Sequence, residues 1–331
     1  MDFAAILGEG LRTAFSPTAA AYALLAIGLN VHYGFTGLLN FGQVGFMLVG
    51  AYGVGITVST FGGSVWLGLI VGILLAVILA LLVGIPTLRL RADYFAITTI
   101  AVAEVLRLLV RSSSLQDLTG GPFGLQSIAP EFHALNPIPV GTYGIGRLSY
   151  PHGQLWSLLV LWAVAVLATI VVILLMRSPW GRVIKAIRED EDVARGLGKN
   201  VFSYKLQSLV VGGVIGALGG ALFAMSGQTV NADSYLPQVT FFAYAILILG
   251  GAASRFGPLL GAVLFWFVYS TLQAFLRQAG REGLLPDFMT VGGAVGAVSL
   301  TAVGIALVLL MIYRPQGILG NKREMVLGAA R

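Results

Sequence analysis

Between Thr13 and Leu88 the chain contains no Lys, Arg, Asp or Glu. An uncharged apolar run of about 20 residues is long enough for one helix to cross a bilayer. This stretch therefore holds several crossings. Across all 331 residues the composition is 57% hydrophobic and 10% charged, against roughly 25% charged for an average soluble domain. The fold class that follows is all-α: a polytopic transmembrane helical bundle, read as one domain over residues 1–331. Glycine supplies 44 of the 331 residues, roughly twice its usual share. Small residues let membrane helices approach closely, and interruptions of a helix are tolerated where backbone lines a cavity or is buried in protein.

Hydrophobic segments fall near 18–33, 36–60, 64–86, 92–110, 154–176, 204–226, 238–253, 256–276 and 290–313, about nine in all. Two long hydrophilic stretches interrupt them. Residues 111–153 are rich in Gly, Pro, Ser and aromatics, with Arg111, Asp117, Glu131 and Arg147 as their charges. Residues 178–205 are far more charged. Arg182, Lys185, Arg188, Arg195, Lys199 and Lys205 stand there against the acidic block Glu189, Asp190, Glu191 and Asp192. Charge of that density is excluded from hydrocarbon, so this island lies in water and reads as a docking platform.

Basic residues in short loops orient a membrane protein with its positive side in the cytoplasm. Alternating spans put Arg89, Arg91, the island, Arg255, Arg314, Lys322 and Arg323 on one side, which is thereby expected to be cytoplasmic and to include the C-terminus. Loop 111–153, Asn231 with Asp233, and the loop from Arg277 to Asp287 fall on the other. Strict alternation places the N-terminus outside. The net charge of +6 is accounted for by such orientation signals and does not imply nucleic-acid binding. Met1 to Arg12 carries Asp2 and Glu9 with no basic stretch ahead of the apolar run, and reads as uncleaved.

Several chemistries are excluded. There are no cysteines, hence no disulfides and no cysteine-held metals. Gly198–Lys199 is followed by Asn200, so the Ser or Thr of a phosphate-binding loop is missing, and no HExxH or G-x-S-x-G pattern occurs. His32, His133 and His152 are not spaced as ligands. No cofactor or metal is implied, and the energy for uphill movement must come from a partner or an ion gradient.

Two places invite a transport role. In Gly28–Gly45 (GLNVHYGFTGLLNFGQVG), glycines interrupt a segment that carries Asn30, His32, Asn40 and Gln43 to membrane depth. It is either helix–loop–helix with close small-residue packing or a broken, re-entrant segment of the kind that houses transporter substrate sites. Asn40 and Gln43, three apart, share a face if that turn is helical. In the next charged span Thr98, Thr99 and Glu104 are the polar positions that bear on a pathway. Glu104 has Arg107 three residues on, which reads first as an internal pair and second as a substrate or proton site.

Thr87–Leu109 (TLRLRADYFAITTIAVAEVLRLL) followed by LTGGPFGL (Leu118–Leu125) resembles the permease of high-affinity branched-chain amino acid ABC importers, with the LivM-type subunit the nearer match. GLLNFGQVGFMLVGAY (Gly37–Tyr52), the island from Ser178 to Leu206, LGGAASRFGPLLGA (Leu249–Ala262) and YRPQGILG (Tyr313–Gly320) resemble it too, in order along nearly the whole chain. The resemblance implies a bacterial or archaeal cytoplasmic-membrane subunit without enzymatic activity of its own. Its partners would be a second permease subunit, two cytoplasmic ATPase subunits and an extracytoplasmic substrate-binding protein. The implied cargo is leucine, isoleucine or valine, with urea or short amides as the alternative and an ion-coupled carrier acting alone as the outlier. It also implies that the island docks the ATPase. Asp192–Val193–Ala194 followed by Gly198 fits the E-A-A-x-x-x-G coupling pattern with two substitutions, while the downstream I-x-L-P part is absent. Arg188, Asp190, Glu191, Asp192, Ala194 and Gly198 are the expected coupling residues.

Overall fold

The computed structural model describes residues 2–146, 148–282, 294–314 and 316–320. Arg147, Asp287, Pro315, Lys322 and Arg323, all read above from sequence, lie outside that set.

Helix starts follow the capping residues. Ser16 accepts a hydrogen bond from Ala19 N at 3.3 Å ahead of Pro17, and opens α2 (Pro17–Leu29) after a first helix α1 (Phe3–Ala14). A π-helical turn, Asn30–Phe35, continues α2. The chain then runs without helix to α3 (Gln43–Gly55), which ends in a second π turn, Ile56–Thr60. Ser64 caps α4 (Val65–Thr87), and α5 spans Ala92–Arg111. Short helices α6 (Gln116–Thr119) and α7 (Pro130–Ala134) and a small hairpin of Thr142–Ile145 with Leu148–Pro151 fill the loop before α8 (His152–Arg177). The island folds as α9 (Pro179–Glu189) and α10 (Glu191–Gly196). Then come α11 (Val201–Gly227), α12 (Gln238–Gly250), α13 (Gly257–Arg281) and α14 (Ala294–Tyr313).

Among the described residues each of the nine apolar segments contains helix, with 37–42 running outside it. The count of full crossings is smaller, because α5 carries four charges and the described apolar part of α14 is short. Six stretches are long and apolar enough to cross a membrane: Gln43–Thr60, Val65–Thr87, His152–Arg177, Val201–Gly227, Ala232–Gly250 and Gly257–Arg281. The pair Phe3–Ala14 and Pro17–Phe35, bent by 48°, makes a seventh if it is counted as one span. Helix α1 is an addition to the sequence reading. Its charges hide a stripe of Ile6, Gly10 and Ala14 that is buried, with α1 packed along α13.

Helix α11 sits at the centre, packed against α2, α3 and α4. Its glycine-rich face makes that possible. A Cβ at Gly213 would lie 2.5 Å from the Phe46 ring, and one at Gly216 would lie 2.7 Å from Gln43 Nε2. The perimeter is the inverse: Leu74, Ile78 and Leu82 on α4 and Leu167, Ile170 and Leu174 on α8 are exposed and apolar, as a lipid-facing surface requires.

Candidate functional site

Between the π turn that ends α2 and the start of α3, residues 37–42 run without helix, so the stretch takes the helix–loop–helix form. The side chains of Asn30, His32, Thr36, Asn40 and Gln43 are all hydrogen-bonded. Asn40 Oδ1 accepts from Gly42 N at 2.9 Å, which fixes the amide so that Nδ2 is the donor. That Nδ2 reaches Gln43 Oε1 at 3.0 Å and His32 Nδ1 at 3.1 Å. His32 Nδ1 is therefore an acceptor, so Nε2 carries the proton and donates to Leu209 O at 3.1 Å. Gln43 Nε2 donates to Gly212 O at 3.1 Å. All three side chains are 0% exposed. Glycines admit them: a Cβ at Gly212 would lie 2.6 Å from His32 Cδ2, and one at Gly28 would lie 2.8 Å from Gln43 Nε2.

The break is tied to its neighbours at both ends. Asn30 Oδ1 accepts from Ala253 N at 2.9 Å and its Nδ2 donates to Ser254 O at 2.9 Å, joining the π turn to the α12–α13 connection. Thr99 Oγ1 on α5 accepts from Phe41 N at 3.1 Å, and Thr240 Oγ1 on α12 accepts from Val44 N at 2.9 Å. Backbone donors at the start of α3, which no helical carbonyl can satisfy, are thus met by side chains from two other helices.

Asn40, Gln43 and Thr99 come together here. Asn40 does so differently from the sequence picture, since it precedes α3 rather than sharing a helical face with Gln43; the two meet through a side-chain bond. Thr98 and Glu104 do not join. Thr98 Oγ1 donates to Tyr94 O within its own helix at 2.7 Å. Glu104 takes two bonds from Arg107, at 2.6 and 2.9 Å, and Arg107 also reaches Asp233 Oδ1 at 3.1 Å. Arg111 meets the same carboxylate at 3.1 Å. Arg107 is 7% exposed, so this charge cluster pins α5 to the short turn before α12. His32, Thr240 and Asp233 were not singled out as site residues from sequence. His32 alone had a visible signal, a polar ring within the glycine-interrupted stretch.

The island is a rigid helix–turn–helix. Ser178 caps α9, and Asp190 Oδ1 accepts from Asp192 N at 2.9 Å and Val193 N at 3.1 Å to cap α10. Gly198 N donates to Arg195 O at 3.0 Å and Lys199 N to Ala194 O at 3.2 Å, the paired bonds of a glycine-terminated helix. Gly198 has φ +75°, and a Cβ there would meet nothing within 4 Å. Ile187, Ala194 and Val201 form a small core beneath. Lys205 pairs with Glu191, and Arg195 with Asp192 at 2.7 Å. Val193 on α10 and Leu197 at its C-cap are 60% and 73% exposed, one helical turn apart. Arg188 lies against Gly37, and Lys185 Nζ sits 6.0 Å from the Phe35 ring centroid. The island thus rests directly on the broken segment.

The bundle thus has a non-helical loop between α2 and α3 with a capped amphipathic platform seated on it. The sequence matches, over residues 13–292, the family described as the permease component of branched-chain amino acid transport systems. The chain belongs to this family. It is 33% identical to the LivM permease protein of the Escherichia coli high-affinity branched-chain amino acid transport system, across 92% of this chain and 69% of that protein. It is 23% identical to the LivH permease protein of the same organism, across 91% and 92% of the two chains. It is also 26% identical to the nucleoside ABC transporter permease NupC of Lactococcus lactis, across 69% and 71%. No solved structure matches significantly. This permease is accordingly a multi-pass membrane protein and a transport component.

Proposed function

We propose that this chain is one transmembrane subunit of an ATP-driven importer of leucine, isoleucine and valine. It pairs with a second permease of LivH type, receives cargo from an extracytoplasmic binding protein, and is powered by two ATPase subunits that dock on α10. The observation that carries the docking assignment is the exposed Val193–Leu197 pair. Two large apolar side chains stand in water at a helix whose ends are both capped, and Asp190, Glu191 and Asp192 open that helix. Gly198 ends the same helix, Ala194 packs beneath it and holds α10 in place, and Arg188 on α9 lies against Gly37. A push on this surface passes through Lys185 and Arg188 to Phe35 and Gly37, and so to the His32–Asn40–Gln43 joint. Alternating access would then be a change in how the break packs on α11 and α12. Because Asn40 and Gln43 are committed to each other, to His32 and to Gly212 O, and Thr99 to Phe41 N, their part is to hold the break beside the pathway. Glu104 is read as the structural partner of Arg107, the first of its two sequence readings.

The substrate assignment rests on the family and on its LivM relative. Uptake of labelled leucine by the assembled complex should be competed by isoleucine and valine and left unchanged by equal concentrations of urea or a nucleoside. Competition by urea or a nucleoside alone would overturn the substrate and leave the permease assignment standing.

The island side is assigned to the cytoplasm, with the C-terminus there and the N-terminus outside. Reporters fused after Lys199 or after Lys322 should register as cytoplasmic, and one inserted within 135–146 as external. A cytoplasmic signal from 135–146 would reverse the assignment.

A further inference from the structure

The linker between α4 and α5 faces α10 and the start of α11 across a cavity of about 350 Å3, within the range of small-molecule pockets. Its ionisable lining is Arg89, Arg91, Arg195 and Lys205 with the single carboxylate Glu191. Glu191 is matched by Lys205, and Arg195 by Asp192 outside the cavity. Arg89 and Arg91 have no carboxylate partner among the described residues. Arg89 is held with its guanidinium 5.5 Å from the Phe202 ring centroid, so its charge is fixed at the wall. The remaining lining includes the Leu88 and Leu90 side chains. On the helix turns that adjoin this linker, Leu82 and Ile85 of α4 and Tyr94 and Ile97 of α5 are exposed and apolar.

We propose that this cavity binds the phosphate of an anionic membrane phospholipid, with the acyl chains lying along α4 and α5. Guanidinium groups present planar donor forks that match phosphate oxygens. Basic pockets between helices at a charged membrane face are where such headgroups are held. A soluble phosphate would account for the arginines but not for the exposed apolar side chains on the adjoining turns of α4 and α5. A phosphate bridging Arg89 and Arg91 to Arg195 ties α10 to the α4–α5 linker, and so steadies the platform that rests on the break. The inference needs only the membrane-spanning bundle and is independent of cargo and of transport direction.

The test is native mass spectrometry of the assembled complex released from nanodiscs of phosphatidylcholine with or without phosphatidylglycerol. Wild type should retain phosphatidylglycerol through delipidation. Arg89→Gln/Arg91→Gln should weaken retention by about tenfold or more, from the loss of two basic contacts near the surface. Arg89→Lys/Arg91→Lys should keep most of it, and Arg281→Gln, far along the chain on α13, should change nothing. Equal retention by the Gln variant would overturn the proposal. So would displacement of the lipid by inorganic phosphate at millimolar concentration, which would make this a soluble-anion site. Loss of ATPase co-purification in the Gln variant with lipid retention intact would overturn it in favour of a protein-docking surface.

Discussion

Replacing Asn40 and Gln43 together by leucine is expected to abolish folded, assembled permease. The two amides satisfy His32 Nδ1, Gly42 N and Gly212 O where neither side chain has any exposed surface. Removing them strands those groups, at about 1–3 kcal/mol for each buried unsatisfied partner. The total is a large part of the roughly 5–15 kcal/mol that holds a typical domain together. Branched leucine also has to fit where Gly28 and Gly216 leave room only for a flat amide. The measurement is complex yield and thermal unfolding in detergent, beside uptake. Intact assembly with lost or altered transport would instead make these side chains part of the substrate path, and unchanged uptake would remove them from the site.

Gly198→Asp is expected to do the opposite: a folded permease that no longer couples. The position has φ +75° and faces open space, so the cost within the chain is limited to left-handed backbone strain of about 1–2 kcal/mol. Asp is among the residues that tolerate that region best. The added carboxylate extends the acidic edge of α10 beside Leu197, on the surface assigned to the ATPase. Substrate-stimulated ATP hydrolysis by the reconstituted complex should fall to its unstimulated level, with membrane insertion and melting temperature nearly unchanged. Normal transport by this variant would remove α10 from the coupling role.

These expectations show which parts of the molecule sequence could disclose. The spans were legible because uncharged runs have one physical solution in a bilayer, and the island because its charge has no place in one. Glu104–Arg107 was legible because both lie on one helical face. Helix α1 was not, since Asp2, Glu9 and Arg12 break its apolar run and only a 3.6-residue stripe remains. The tie from Arg107 to Asp233 crosses from α5 to the start of α12 and leaves no local pattern. His32 illustrates the limit most clearly. Its partners are a backbone carbonyl of α11 and an amide eight residues away, and only the packing of Gly28 against Gly212 brings them within reach. The interruption at 37–42 was half legible: glycines and polar groups announced it without deciding between a loop and a re-entrant segment, and the threonines that bond its end, Thr99 and Thr240, come from distant helices.

The most direct measurement is leucine uptake into proteoliposomes containing this chain alone or together with its second permease and ATPase subunits, supplied with the binding protein and with ATP on the ATPase side. Uptake should require the full complex and ATP hydrolysis, and should be absent from vesicles holding this chain alone under any proton or sodium gradient. Gradient-driven uptake by the chain alone would contradict the account.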